Sequence, residues 1–329
     1  MNERQTVADL GEFGLLERFA ARIGAPPEGE TWSGDDAAVL RSPGATLLYT
    51  TDLLIEAIDF ESRYASAADI GWKALAVNVS DIAAMGGRPH HAVVGLGLRA
   101  DCPVATADGI LDGLLAAASR WGVALVGGDI SSASALVVYV ALIGDAEAKP
   151  VRRSGARPGD AICVTGALGG AAGGLALLRG DAAAEPHARR RLVARQLRPN
   201  ARLEEGRRLA ALGATAMIDV SDGLIGDLLH LLDASRLGCS VSPQTVPIDS
   251  DLIPLGDTLD PLGTALTGGE DFELLFTLAE ESVQRARGSL ADLGTPVTRI
   301  GTTHKGGRLL GDRSLEAAGE VGWDHLRTR

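Results

Sequence analysis

Apolar residues recur along this chain with two spacings, and the changes between them mark the elements. Residues 11–22 carry helical spacing and predict a short amphipathic helix, and residues 45–51 (ATLLYTT) predict a strand. Residues 66–85 form a long helical pattern with few breakers, closed by Gly86-Gly87. Residues 91–99 alternate as a strand does, 105–121 are helical, and 123–126 and 136–143 are apolar, β-branched runs bounded by Gly and Asp, which favours strands. Near Lys149 the texture changes. Residues 149–160 (KPVRRSGARPGD) are basic and turn-rich, so a domain boundary is expected there, dividing the chain into 1–148 and 149–329. Beyond it the pattern predicts strands at 161–165, 214–220, 273–278 and 296–300. Helices are expected after the Gly-rich turn 166–174, over 186–212 with a break at Pro199, over 224–237 and over 280–293. Strands alternating with helices imply an α/β or α+β fold.

Composition narrows the picture. At 46% apolar and 22% charged residues the chain is of ordinary globular make-up, which excludes a mostly disordered one. Glycine supplies 42 of 329 residues without a Gly-X-Y period, so collagen is excluded and many tight turns or close backbone approaches are expected. The 31 basic against 43 acidic residues give a formal net charge of −12, which argues against nucleic acid or an anionic membrane as partner. Cys102, Cys163 and Cys239 form no CxxC pair, so neither a disulfide framework nor a zinc site is suggested. The charged first residues contain no signal-peptide core, and the longest apolar stretch, residues 135–143, is about half a membrane span. A soluble, cytoplasmic protein is expected.

The acids fall in a pattern. Gly34-Asp35-Asp36, Thr50-Thr51-Asp52, Gly127-Gly128-Asp129, Asp219-Val220-Ser221-Asp222-Gly223 and Gly268-Gly269-Glu270-Asp271-Phe272-Glu273 each sit where a strand is expected to begin or end. Carboxylates on strand-end loops converge on one crevice in α/β sheets, and hard oxygen donors of this kind suit Mg²⁺ with substrate phosphates. Taken singly, each could equally be a helix cap or turn residue. Asp81 is harder to explain that way, because it lies near the C-terminal end of the long helix, where the dipole disfavours an acid. Asp222 lies near a helix N-terminus, where capping is an equal alternative, so Asp219 is the better ligand candidate. Arg153, in the turn-rich linker, reads either as a phosphate grip or as an exposed charge. The turn 166–174 could offer amides to phosphate or could simply pack closely. No P-loop, HExxH or GxSxG motif is present, and Gly95-Leu96-Gly97 lies inside a strand pattern, so it is not a dinucleotide fingerprint.

Those segments, with Gly71 to Gly86 (GWKALAVNVSDIAAMG), Arg153-Ser154-Gly155-Ala156, Gly11-Glu12-Phe13 and Gly322-Trp323-Asp324-His325, resemble in the same order the motifs of the thiamine-monophosphate kinase family. The resemblance covers essentially the whole chain. It implies the two-domain fold of aminoimidazole-ribonucleotide synthetase, with N-terminal domains pairing into a homodimer. It implies synthesis of thiamine diphosphate from thiamine monophosphate and ATP with several Mg²⁺ ions. By position, Asp36, Thr50, Thr51, Asp52, Asp81, Asp129, Asp219 and Asp222 look like metal ligands, the five Asp36, Asp52, Asp81, Asp129 and Asp219 being central to catalysis. Gly128, Asp129, Arg153 and Ser221 look like nucleotide contacts, and Asp59, Glu270 and Trp323 like substrate contacts. On sequence alone Trp323 reads as a packing residue of the tail. One departure stands out: the family commonly has His-Phe where this chain has Asp59-Phe60. The acceptor, a phosphate monoester with a second pKa near 6, needs no strong base, so direct in-line transfer without a phosphoenzyme is expected. The alternatives are an ATP-dependent synthetase of the same fold and a non-catalytic nucleotide or thiamine-phosphate binding protein. The cysteine positions argue against the first and the intact acids against the second.

Overall fold

The computed structural model describes residues 26–31, 35–42, 45–147 and 149–317. The helix expected at 11–22, Gly34 and Trp323 lie outside the described residues. The first half builds a five-stranded sheet from β1 (Ala38–Ser42), β2 (Ala45–Ile55), β3 (Arg88–Leu98), β4 (Ala124–Ser132) and β5 (Val137–Asp145), in the order β1-β2-β5-β3-β4. Two helices, α1 (Ala67–Ala84) and α2 (Val104–Trp121), pack on one face. Ser66 starts α1 through a capping box with Asp69. The helix is apolar on nearly every side and correspondingly buried. Its approach to α2 depends on glycine, since a Cβ at Gly71 would lie 2.0 Å from the Ile110 carbonyl oxygen.

Alternation along β2 sorts its residues cleanly. Leu48, Thr50 and Leu54 turn towards the helices and are buried, whereas Tyr49 (44% exposed) and Leu53 (48%) face outward with Tyr139 and Val93 of the neighbouring strands. The outer face of this sheet is therefore apolar and uncovered by any described element.

The second half forms a seven-stranded mixed sheet. Its strands are β6 (Ala161–Thr165), β7 (Ala216–Asp219), β8 (Gly238–Val241), β9 (Leu274–Leu278), β10 (Val297–His304), β11 (Arg308–Leu310) and β12 (Arg313–Ser314), in the order β12-β11-β8-β10-β6-β9-β7. The helices are α3 (Gly170–Arg179), α4 (Pro186–Leu197), α5 (Leu203–Ala211), α6 (Leu224–Ser235), α7 (Pro261–Thr267) and α8 (Val283–Leu290). β6 and β9, central in that order, and the edge strand β7 are all buried at every position. The mixed α/β architecture agrees with the sequence reading.

Two strands outrun their expected lengths. β2 continues to Ile55 and β4 to Ser132, because apolar Leu53–Ile55 and Ile130 extend the pairing. Asp52 and Asp129 therefore lie inside strands, not at strand ends. The short elements β1, β8, β11, β12 and α7 had no recognisable period in the sequence.

Candidate active site

The end of α1, the end of β7 and the turn before β1 meet between the two sheets. There one carboxylate oxygen each of Asp36, Asp81 and Asp219 lies within 4.8 Å of the others. Neighbouring hydroxyls fix two of the three. Thr50 donates a short hydrogen bond to Asp81 Oδ2, and Ser80 donates to Asp219 Oδ2 at 2.5 Å. Arg153 closes the third side, its Nη2 2.9 Å from Asp36 Oδ1 and its backbone N–H donating to Asp35 Oδ1 at 2.6 Å. Burial pushes the Asp81 carboxyl well above the usual range, and Asp52, Asp219 and Asp36 add repulsion. Burial, then Asp36, does the same for Asp219. Asp35 is raised to about 6, chiefly by burial.

The Arg153 guanidinium by itself cannot balance three clustered carboxylates. Oxygen donors at this density, shielded from water, have the chemistry of a hard divalent cation site, and Mg²⁺ fits it. Asp52 shares the helix-facing side of β2 with Thr50 and acts on Asp81 electrostatically.

Other sequence candidates are placed elsewhere. Thr51 points to the opposite face of β2, where its hydroxyl donates to the Val140 carbonyl at 2.8 Å. Asp129 is also on that outer face, in register with Gly95, which pairs with Tyr139. The cause is local: β4 carries an extra residue between Leu125 and Gly127, opposite Ala92/Val93, and this bulge reverses the alternation beyond it. Gly128 keeps to the helix-facing side, where a Cβ would meet the Val94 carbonyl oxygen at 1.9 Å. Neither Asp129 nor Asp222 joins the trio. Asp222 precedes α6. Its N–H, with those of Ser221 and Gly223, donates to Asp227 Oδ2 at 3.1–3.2 Å, and this bracing fixes the loop. Asp59 Oδ2 accepts from the Ile55 N–H at 2.8 Å, so its carboxylate serves the turn after β2. Arg153 is not an exposed linker charge, being held on Asp36. In the turn 166–174, the Gly169 and Ala171 amides already donate to Asp271, whose carboxyl burial raises to about 7.

Sequence reasoning missed Ser80, Asp227 and Lys73. Lys73 Nζ lies 2.5 Å from Glu270 Oε1. The available signal was a lysine inside an otherwise apolar stretch of α1, which demands a buried counter-charge.

Residues 34–146 match the N-terminal domain, and 157–311 the C-terminal domain, of the AIR synthase related proteins. The fold and its acidic site thus define a member of that two-domain class. Thiamine-monophosphate kinase of Mycobacterium tuberculosis is 38% identical over 277 residues, 83% of this chain and 82% of the relative. That of Escherichia coli is 37% identical over 295 residues, 88% of this chain and 90% of the relative. The solved ThiL complex with AMPPCP and TMP superposes with a TM-score of 0.88 at 32% identity, covering 98% of this chain and all of that one. Within its class, this chain belongs to the thiamine-monophosphate kinase family and is an enzyme, a kinase.

Proposed function

We propose that the enzyme transfers the γ-phosphoryl group of ATP in line to thiamine monophosphate, giving thiamine diphosphate and ADP without a phosphoenzyme. The observation that carries this reading is the clustered trio Asp36, Asp81 and Asp219, braced by Thr50 and Ser80 and set between the two sheets of a thiamine-monophosphate kinase fold. Mg²⁺ held by these carboxylates and Asp52 would neutralise the repulsion between two phosphorylated substrates. The protein's own part is positioning. Thr50 and Ser80 orient carboxylates, Arg153 offers a guanidinium beside them, and Asp227 sets the Ser221–Asp222 loop. The acceptor phosphate is already largely dianionic at neutral pH, so no base is required of the chain. The test is product identification after incubation with ATP, Mg²⁺ and thiamine monophosphate. Thiamine diphosphate and acceptor-dependent ADP are expected. ADP release without that acceptor, or with a different one only, would point to a synthetase of the same fold.

The active unit in this reading is a homodimer joined through the outer face of the first sheet. Tyr49, Leu53, Val93 and Tyr139 form an apolar surface there, and Asp129 stands on the same side, away from the trio of its own chain. Pairing two such faces would bring Asp129, with the neighbouring Gly128 backbone, towards a second copy. Leu53→Arg is expected to convert dimer to monomer in sedimentation equilibrium and to abolish turnover. A dimer that survives the substitution would remove this surface from consideration. Use of ATP implies a cytoplasmic setting, and no described helix is long and apolar enough to cross a membrane.

A further inference from the structure

Elements from three parts of the chain meet at Glu270. Its backbone is held at φ +69, a left-handed conformation uncommon outside glycine, and Phe272 follows at φ +48. Hydrogen bonds from Glu270 N–H to the Ser221 carbonyl (2.8 Å) and from Phe272 N–H to the Val220 carbonyl (2.9 Å) keep the turn in place. Both carboxylate oxygens are gripped. Lys73 of α1 lies 2.5 Å from Oε1, and Gln196 Nε2 of α4 donates to Oε2 at 2.5 Å.

Lys73 and Gln196 are each 4% exposed, while the Glu270 side chain is 31% exposed. A lysine this deep requires a counter-charge, so it dictates where the Glu270 carboxylate stands. A carboxylate can only accept, which fixes the Gln196 end facing it as the NH2 and leaves Gln196 Oε1 as a buried acceptor with no partner among the described residues. Lys73 and Gln196 also line a small crevice with Asp59, Phe60 and Tyr64.

We infer that Lys73 and Gln196 are positioning residues that fix the Glu270 carboxylate for the thiamine end of the acceptor. This rests on the kinase reading above. The pair acts through Glu270 and has no part in binding ATP.

The experiment measures kcat and both KM values for Gln196→Met and Lys73→Met, each alone and combined with Glu270→Gln. Gln196→Met nearly preserves volume and decides alone if Lys73→Met does not fold. The expected result is a KM for thiamine monophosphate raised about tenfold or more, with kcat and the KM for ATP within about threefold of wild type. In the Glu270→Gln background the same substitutions should change that KM by less than about threefold, because their route is already cut. A parallel rise in both KM values, an unchanged KM, or an effect undiminished in the Glu270→Gln background would overturn the clamp. Wild-type enzyme that makes no thiamine diphosphate overturns the functional reading itself, and the clamp with it.

Discussion

Asp81→Ala is expected to lower kcat by about a thousandfold or more, equivalent to about 4 kcal/mol of transition-state stabilisation, without unfolding the protein. Asp81 stands in the trio with Asp36 and Asp219, and burial and those neighbours all disfavour its charge. Removing it relieves repulsion in the protein freed of metal, so its melting temperature in EDTA should hold or rise. Any stabilisation that Mg²⁺ gives the wild type should shrink in the variant, since a ligand that binds only the folded state raises stability by mass action. Steady-state kinetics and melting curves with and without Mg²⁺ check both halves. Near-normal turnover, or an unchanged response to Mg²⁺, would remove Asp81 from the metal site.

The largest loss of stability is expected from Glu273→Ala. Glu273 is 1% exposed and receives Arg202 Nε at 2.7 Å, Arg202 Nη2 at 2.5 Å and the Thr165 hydroxyl at 2.7 Å. This paired geometry ties α5's leading turn to the start of β9 and the end of β6. Taking away one partner of a buried ion pair strands the other charge, at a cost of about 3–5 kcal/mol. For a domain of this size that lowers the melting temperature by on the order of 10 °C. Urea unfolding measures the loss directly. A cost below about 1 kcal/mol would mean that Glu205 and Thr295, the other partners of Arg202, carry its charge unaided.

Much of this was legible in the chain, and the parts that were not share a cause. Helical and strand periods located α1, α2, β3, β5 and β6 closely, because each is long or strongly apolar. Asp81 was picked out by a local argument, an acid at the wrong end of a helix dipole, and the structure puts it in the trio. Asp36 and Asp219 followed from glycine-flanked acids near strand ends. The facing of Thr51 and Asp129 was hidden, because the side of a sheet depends on register, and register depends on neighbours distant in sequence. Lys73 and Gln196 were hidden for a related reason. Nothing near either residue announces Glu270, whose unusual backbone only the folded turn reveals.

The bulge in β4 has an evolutionary corollary. Gaining a single codon between Gly127 and Asp129, with the bulge kept, would move every later residue of that strand one place along β3 and so to the other surface, Asp129 included. Strand length here is therefore a heritable determinant of which face of the sheet an aspartate stands on. Point substitutions, which leave the count of residues alone, cannot imitate the effect.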